Sequence, residues 1–164
     1  MIPAVAVVGY ANSGKTTLVE KLIKELKFRG YKVGTVKHHH TSQVEVDKPG
    51  KDTWRHAQAG ADTVVLASPV MVAVMEKIPE ELPLVDILGR IQGVDIIVVE
   101  GYKRSHLPKI EVFRSEVHTQ LITSEEELLA VASDVIFDNV SSCFNLDDAK
   151  GIVDLLEKEF RLRL

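Results

Sequence analysis

The segment Gly9-Tyr10-Ala11-Asn12-Ser13-Gly14-Lys15-Thr16 restricts the fold of this chain more than any other. It has the spacing G-x-x-x-x-G-K-[ST]. It follows an apolar run, Ala4–Val8, and leads into Thr16–Arg29, where Leu18, Leu22, Ile23 and Leu26 recur at three and four residues before Gly30 supplies a stop. A second run, Lys32–Val36, completes a β-α-β unit. Glycines at these positions let successive backbone N–H groups curl around phosphate oxygens, and the following helix adds roughly half a positive charge at its N-terminus. The expected phosphate contacts are Gly9, Ala11, Asn12, Ser13, Gly14, Lys15, Thr16 and Thr17. Lys15 is expected to reach the terminal phosphates as a catalytic residue, Thr16 to place its hydroxyl on Mg²⁺, and Thr17 to reach the phosphate nearer the sugar.

Further short runs rich in Val and Ile, at Thr63–Ala67, Val70–Met75, Asp95–Val99, Ile110–Phe113 and Leu129–Ala132, read as buried strands. Helices are expected over Asp52–Ala59, over about Leu84–Gln92, and from near Asp147 with Ile152, Leu155, Leu156 and Phe160 on one face. The alternation predicts an α/β fold, P-loop NTPase-like, with a mostly parallel sheet and helices on both faces. Val64–Ala67 and Val70–Met75 are only two residues apart, too close for a crossover, so an antiparallel hairpin is expected at a sheet edge. With 164 residues, no repeat and no long linker, residues 1–164 are expected to form a single nucleotide-binding domain.

The formal charge of -4 disfavours a nucleic-acid-coating role, which needs a basic surface to displace phosphate counterions. The single cysteine, Cys143, excludes an internal disulfide and a multi-thiolate zinc site; it reads as a small buried or half-buried apolar residue in a reducing compartment. The apolar run Val64–Met75 is broken by Ser68-Pro69 and is shorter than the roughly 20 residues that cross a bilayer, so no membrane span is expected. The first residues read as a strand and not as a signal peptide, and a cytoplasmic location is expected.

A magnesium site also needs a carboxylate at the end of a neighbouring strand. In Asp95-Ile96-Ile97-Val98-Val99-Glu100-Gly101, Glu100 stands at the carboxyl end, where parallel sheets present ligands, and Asp95 at the far end. Glu100 is therefore the expected metal and catalytic carboxylate, with Asp52 as the next candidate. Two positive islands follow strand ends. Lys37–His56 carries Lys37, His38, His39, His40, Lys48, Lys51 and Arg55, and Gly101–Arg114 carries Lys103, Arg104, Lys109 and Arg114 against Glu111. Both are expected to face the phosphate-loop cleft, with Lys51, Arg55, Lys103 and Arg114 holding a second anionic ligand or an acidic partner. The three consecutive histidines suggest a transition-metal site, yet neighbours in an extended segment point to opposite faces and could not converge.

Gly9–Thr17, Lys37-His38-His39-His40, Asp47-Lys48-Pro49-Gly50-Lys51-Asp52-Thr53-Trp54-Arg55, Ala59-Gly60-Ala61, Val99-Glu100-Gly101-Tyr102-Lys103 and Pro108–Arg114 occur in an order that resembles the molybdopterin-guanine dinucleotide biosynthesis protein B family. The resemblance implies a GTP-binding homodimer with weak GTPase activity, an adapter for the molybdopterin guanylyltransferase that attaches GMP to molybdopterin. It also implies that the second anion is molybdopterin or its guanine dinucleotide. The guanine-reading pattern N-K-x-D is absent; Ala132-Ser133-Asp134 is its nearest substitute. A P-loop small-molecule kinase or ligase, and a GTPase metallochaperone suggested by the histidines, are the alternatives.

Overall fold

The computed structural model describes residues 2–41, 44–138 and 140–163. The chain forms two compact units, Met1–His38 with Leu84–Leu164, and His39–Pro83.

The larger unit is built on a six-stranded sheet in the order β2-β5-β1-β6-β7-β8. Its strands are β1 (Ala4–Val8), β2 (Val33–Lys37), β5 (Ile96–Glu100), β6 (Lys109–Phe113), β7 (Leu128–Ser133) and β8 (Cys143–Asn145), and every pairing among them is parallel. Parallel strands covered on both sides read as unbroken apolar runs. Accordingly, all five residues of β1 and the first four of β5 are buried.

Side chains alternate along a strand. Val5, Val7, Ile96, Val98, Ile110, Val112, Ala130 and Ala132 therefore face one way, against Leu18, Val19, Leu22 and Leu26 of α1 (Lys15–Phe28) and Ile152, Val153 and Leu156 of α4 (Ala149–Phe160). Ala4, Ala6, Val8, Ile97 and Val99 face the opposite way, against Leu88 and Leu84 of α3 (Leu84–Gly89). The expected helices on both faces are present, although in α4 Val153 is fully buried and Leu155 only partly. At the end of α1, Arg29 joins the two helices: its guanidinium meets Glu25 at 2.8 Å, Asp154 at 2.6 Å and Glu157 at 2.8 Å.

The smaller unit contains α2 (Asp52–Gln58) and a hairpin of β3 (Thr63–Ala67) and β4 (Val72–Glu76). The strands are antiparallel, as their short connection requires, with Val65 opposite Val74. Their position corrects the expectation of a sheet edge: among the described residues β3 and β4 pair only with each other and form a separate two-stranded sheet. The reason lies in the contacts of the segment, which close within residues 39–83. Val64 packs inward, whereas Val65, Val72 and Val74 stand 55%, 65% and 61% exposed on the other face, an unusually apolar surface for a lone hairpin.

Candidate functional site

The phosphate loop joins β1 to α1 and owes its shape to three left-handed or extended-positive residues. Gly9 has φ 144°, Asn12 φ 61° and Gly14 φ 98°. Gly9 is also sterically required, since a Cβ there would lie 2.5 Å from the Val112 carbonyl oxygen and 2.8 Å from Ser13 Oγ. Gly14 caps α1 without a side-chain hydrogen bond, and the first turn contains no acid. The open N–H groups and the helix field are thus left for an anion.

Within the loop, the Lys15 ammonium donates to the carbonyls of Gly9, at 3.1 Å, and Tyr10, at 2.5 Å. Partial burial pulls its pKa below the ordinary lysine value; Glu100 opposes that shift and Lys37 adds to it. Ser13 is fully buried with its hydroxyl beneath Gly9, and its backbone N–H donates to the Tyr10 carbonyl at 3.4 Å. Ala11, Asn12, Thr16 and Thr17 are exposed. From the end of β6, Arg114 Nε donates to the Ser13 carbonyl at 3.0 Å, and the guanidinium lies against Gly14. Arg114 therefore braces the phosphate loop, a role its place in a basic run does not reveal. A second brace is aromatic: Tyr10 stacks on His118 with ring centroids 4.1 Å apart, and Phe113 meets the same imidazole edge-on.

Thr16 and Glu100, 84 positions apart, meet directly: Thr16 Oγ1 donates to Glu100 Oε1 at 2.8 Å. Strand periodicity explains this, because Glu100 continues the Ile96–Val98 face on which α1 packs. One hydroxyl and one carboxylate beside the loop suit a hard divalent cation, which takes oxygen ligands and keeps several waters. Asp95 lies at the opposite end of β5, where Oδ2 accepts the Lys32 N–H at 2.7 Å. Lys37, expected from the sequence only as a member of the first positive island, belongs with the Thr16 and Glu100 oxygens. It stands in register with Glu100, and its ammonium lies 3.0 Å from Glu100 Oε1 and 3.5 Å from Thr16 Oγ1.

The second positive island is smaller than its formal charge suggests. Lys109 is buried within the sheet, donating to the Ser105 and Leu107 carbonyls and to Glu127 Oε2 at 2.6 Å. Glu111 is equally buried and accepts the N–H groups of Ile122 and Thr123, pinning the loop after β6. Lys103 and Arg104 remain exposed. Gly101 turns tightly behind Glu100 at φ 95°, and His38 stacks on Tyr102 with centroids 4.4 Å apart. Asp134, the nearest substitute for a guanine-reading acid, has both carboxylate oxygens engaged by Ser115, whose backbone N–H is 2.9 Å away; that contact holds its pKa below the ordinary value.

In the smaller unit, Lys51 lines a hollow of about 500 Å³ with Lys48, Asp52 and Thr53, and Arg55 lies one turn along α2, 3.9 Å from Asp52. The 800 Å³ groove of the same unit, floored by Trp54, Val64 and Met75, carries Glu45, Asp47, Asp62 and Glu76 against Lys77, the wrong sign for a phosphate. His39 turns its Nδ1 to Thr41 Oγ1 at 3.1 Å. Cys143 is half-buried in β8, with its thiol 3.7 Å from the Val135 carbonyl. Among the described residues, no helix is long and apolar enough to cross a membrane.

Known proteins are similar to this chain over most of its length. The family model for molybdopterin guanine dinucleotide synthesis protein B, MobB, matches residues 4–134. The molybdopterin-guanine dinucleotide biosynthesis adapter proteins of Haemophilus influenzae and Escherichia coli are each 36% identical to it; both matches span 95% of this chain, covering 88% and 92% of the relatives. The crystal structure of Bacillus subtilis MobB superposes with a TM-score of 0.75 at 25% identity, covering 99% of each chain. A molybdopterin-guanine biosynthesis protein B structure gives 0.72 at 28% identity, over 95% of this chain and 99% of the other. With its P-loop NTPase-like sheet, its Thr16–Glu100 pair and relatives of this kind over nearly all of its length, the chain belongs to the MobB family.

Proposed function

We propose that this chain is a GTP-binding adapter of molybdenum cofactor biosynthesis, acting in the cytoplasm as a homodimer, that assists a guanylyltransferase in attaching GMP to molybdopterin. The observation that carries the nucleotide reading is the junction of Thr16 and Glu100 beside a phosphate loop braced by Lys15 and Arg114. The pathway is supported by the relatives, named as adapters of molybdopterin-guanine dinucleotide biosynthesis. The exposed valines of the hairpin supply apolar surface suited to a second copy.

Each chain residue has a physical task in this reading. The N–H groups of residues 11–16 and the open end of α1 hold the β- and γ-phosphates, and Lys15 turns from its own loop carbonyls to the terminal phosphate. Arg114 keeps the Ser13 carbonyl turned away from the anion, where it would repel it. Thr16 and Glu100 would hold Mg²⁺, which neutralises phosphate charge when bound. Glu100 meets Thr16 and Lys37, contacts that serve metal and nucleotide binding, and hydrolysis in this reading is slow and ancillary. Lys103 of the larger unit, and Lys51 and Arg55 of the smaller one, each serve molybdopterin, its guanine dinucleotide or the partner transferase in this reading.

The test is a reconstituted transfer of GMP to molybdopterin by the purified transferase, with and without this protein. The adapter reading expects faster product formation with no phosphoryl group retained by this chain. Stoichiometric phosphoryl transfer to a small molecule would favour a kinase, and no effect on the transferase would overturn the adapter.

A further inference from the structure

Lys37 ends β2 directly beside Glu100, and the parallel register fixes both side chains on the face covered by α1. Its ammonium contacts the same two oxygens, Glu100 Oε1 and Thr16 Oγ1, that suit a divalent cation. The exposure of the partners differs: the Glu100 side chain is 12% exposed, that of Lys37 58%. The carboxylate is held while the long, flexible lysine can leave. We propose that Lys37 is a resident cation of the metal subsite, a placeholder that neutralises Glu100 before Mg²⁺ arrives and is displaced by it toward the bound triphosphate. This rests on the GTP-binding reading.

The argument is electrostatic. Without a cation beside it, Glu100 repels an incoming triphosphate across a short distance, and Lys37 removes that repulsion. The same lysine must give way before a doubly charged ion can share Glu100 Oε1, so it opposes metal entry. Removing its charge should therefore move two affinities in opposite directions: GTP binding without metal weakens, and the Mg²⁺ concentration needed to restore tight binding falls. A lysine that merely added surface charge would weaken binding by a similar factor at every Mg²⁺ concentration.

The experiment is calorimetric titration of GTP into the wild-type protein and the Lys37→Met variant across free Mg²⁺ from an EDTA-buffered zero to about 10 mM. Lys37→Gln serves as a second charge-free variant, and the position is exposed enough for both to fold. We expect at least a fivefold loss of metal-free affinity and at least a threefold lower Mg²⁺ midpoint. Curves that coincide with wild type, or that shift by one constant factor, overturn the placeholder while leaving GTP binding intact. A wild-type protein that binds no GTP at any Mg²⁺ level overturns the functional reading and the placeholder with it.

Discussion

Replacing Gly9 by alanine should be among the most damaging single-methyl changes in the larger unit. Two costs combine. The residue has φ 144°, a conformation that L-residues rarely adopt, and holding alanine in such a region costs about 1–3 kcal/mol. The added Cβ would lie 2.5 Å from the Val112 carbonyl oxygen, a backbone atom of the fully buried strand β6, and 2.8 Å from Ser13 Oγ. The Val112 oxygen is backbone and cannot step aside, and the Ser13 hydroxyl can only rotate within a fully buried site, so overpacking adds about 1–3 kcal/mol. The sum, about 2–6 kcal/mol, is a large part of the roughly 5–15 kcal/mol that stabilises an ordinary domain. Gly93→Ala is the control: at φ 70° with no atom within 4 Å of its Cβ, it bears only the conformational cost, about 1–2 kcal/mol. Urea unfolding followed by tryptophan-independent far-UV circular dichroism measures both. If Gly9→Ala unfolds at the same midpoint as Gly93→Ala, the close approach of the phosphate loop to β6 is wrong.

Glu100→Gln should retain GTP binding but raise the Mg²⁺ midpoint by tenfold or more, about 1.4 kcal/mol, in calorimetric titrations; an unchanged midpoint would make Glu100 structural. Arg114→Ala should weaken GTP binding through the loosened Ser13 carbonyl, and Arg114→Lys should rescue it only partly, because an ammonium cannot reproduce the planar guanidinium against Gly14; equal rescue would refute the brace. Acid should destabilise the fold in a defined window. Glu127, held low by Lys109, Asp134, held low by Ser115, and Asp147, held low by Lys21, all have folded pKa values below their ordinary 4.5, 3.8 and 3.8. Each contributes stability that is present above its ordinary value and is lost as pH falls through its folded one. Urea midpoints should therefore decline below about pH 4.5, and Glu127→Gln should flatten part of that decline.

The sequence carried the architecture where periodicity and punctuation agreed. Ala4–Val8 is a strand over the expected residues, α1 is displaced by one residue, and Glu100 stands at the strand end that faces Thr16. It was silent where an element is too short to have a period. Cys143–Asn145 has three residues and is a strand only because β7 supplies its partner. It misled where side-chain type was taken for location. Lys109 and Glu111 read as surface charges, but they alternate along a buried strand and are satisfied by Glu127 and by backbone carbonyls and N–H groups. The roles of two basic residues were hidden for a related reason. Lys37 gains meaning only from the register of β2 with β5, and Arg114 from the approach of β6 to the phosphate loop, both of which are long-range facts.

The most direct measurement of the central claim is calorimetric binding of GTP and of ATP, each with saturating Mg²⁺, to the wild-type protein and to Lys15→Ala. Lys15 is half-buried and ties two carbonyls of its own loop, so circular dichroism of the variant must first show an intact fold. GTP should bind with one site per chain and ATP at least tenfold more weakly, a difference of about 1.4 kcal/mol, and Lys15→Ala should bind neither. A wild-type protein that binds no GTP, or a folded Lys15→Ala variant that binds it with undiminished affinity, would contradict the assignment of this loop as the GTP site.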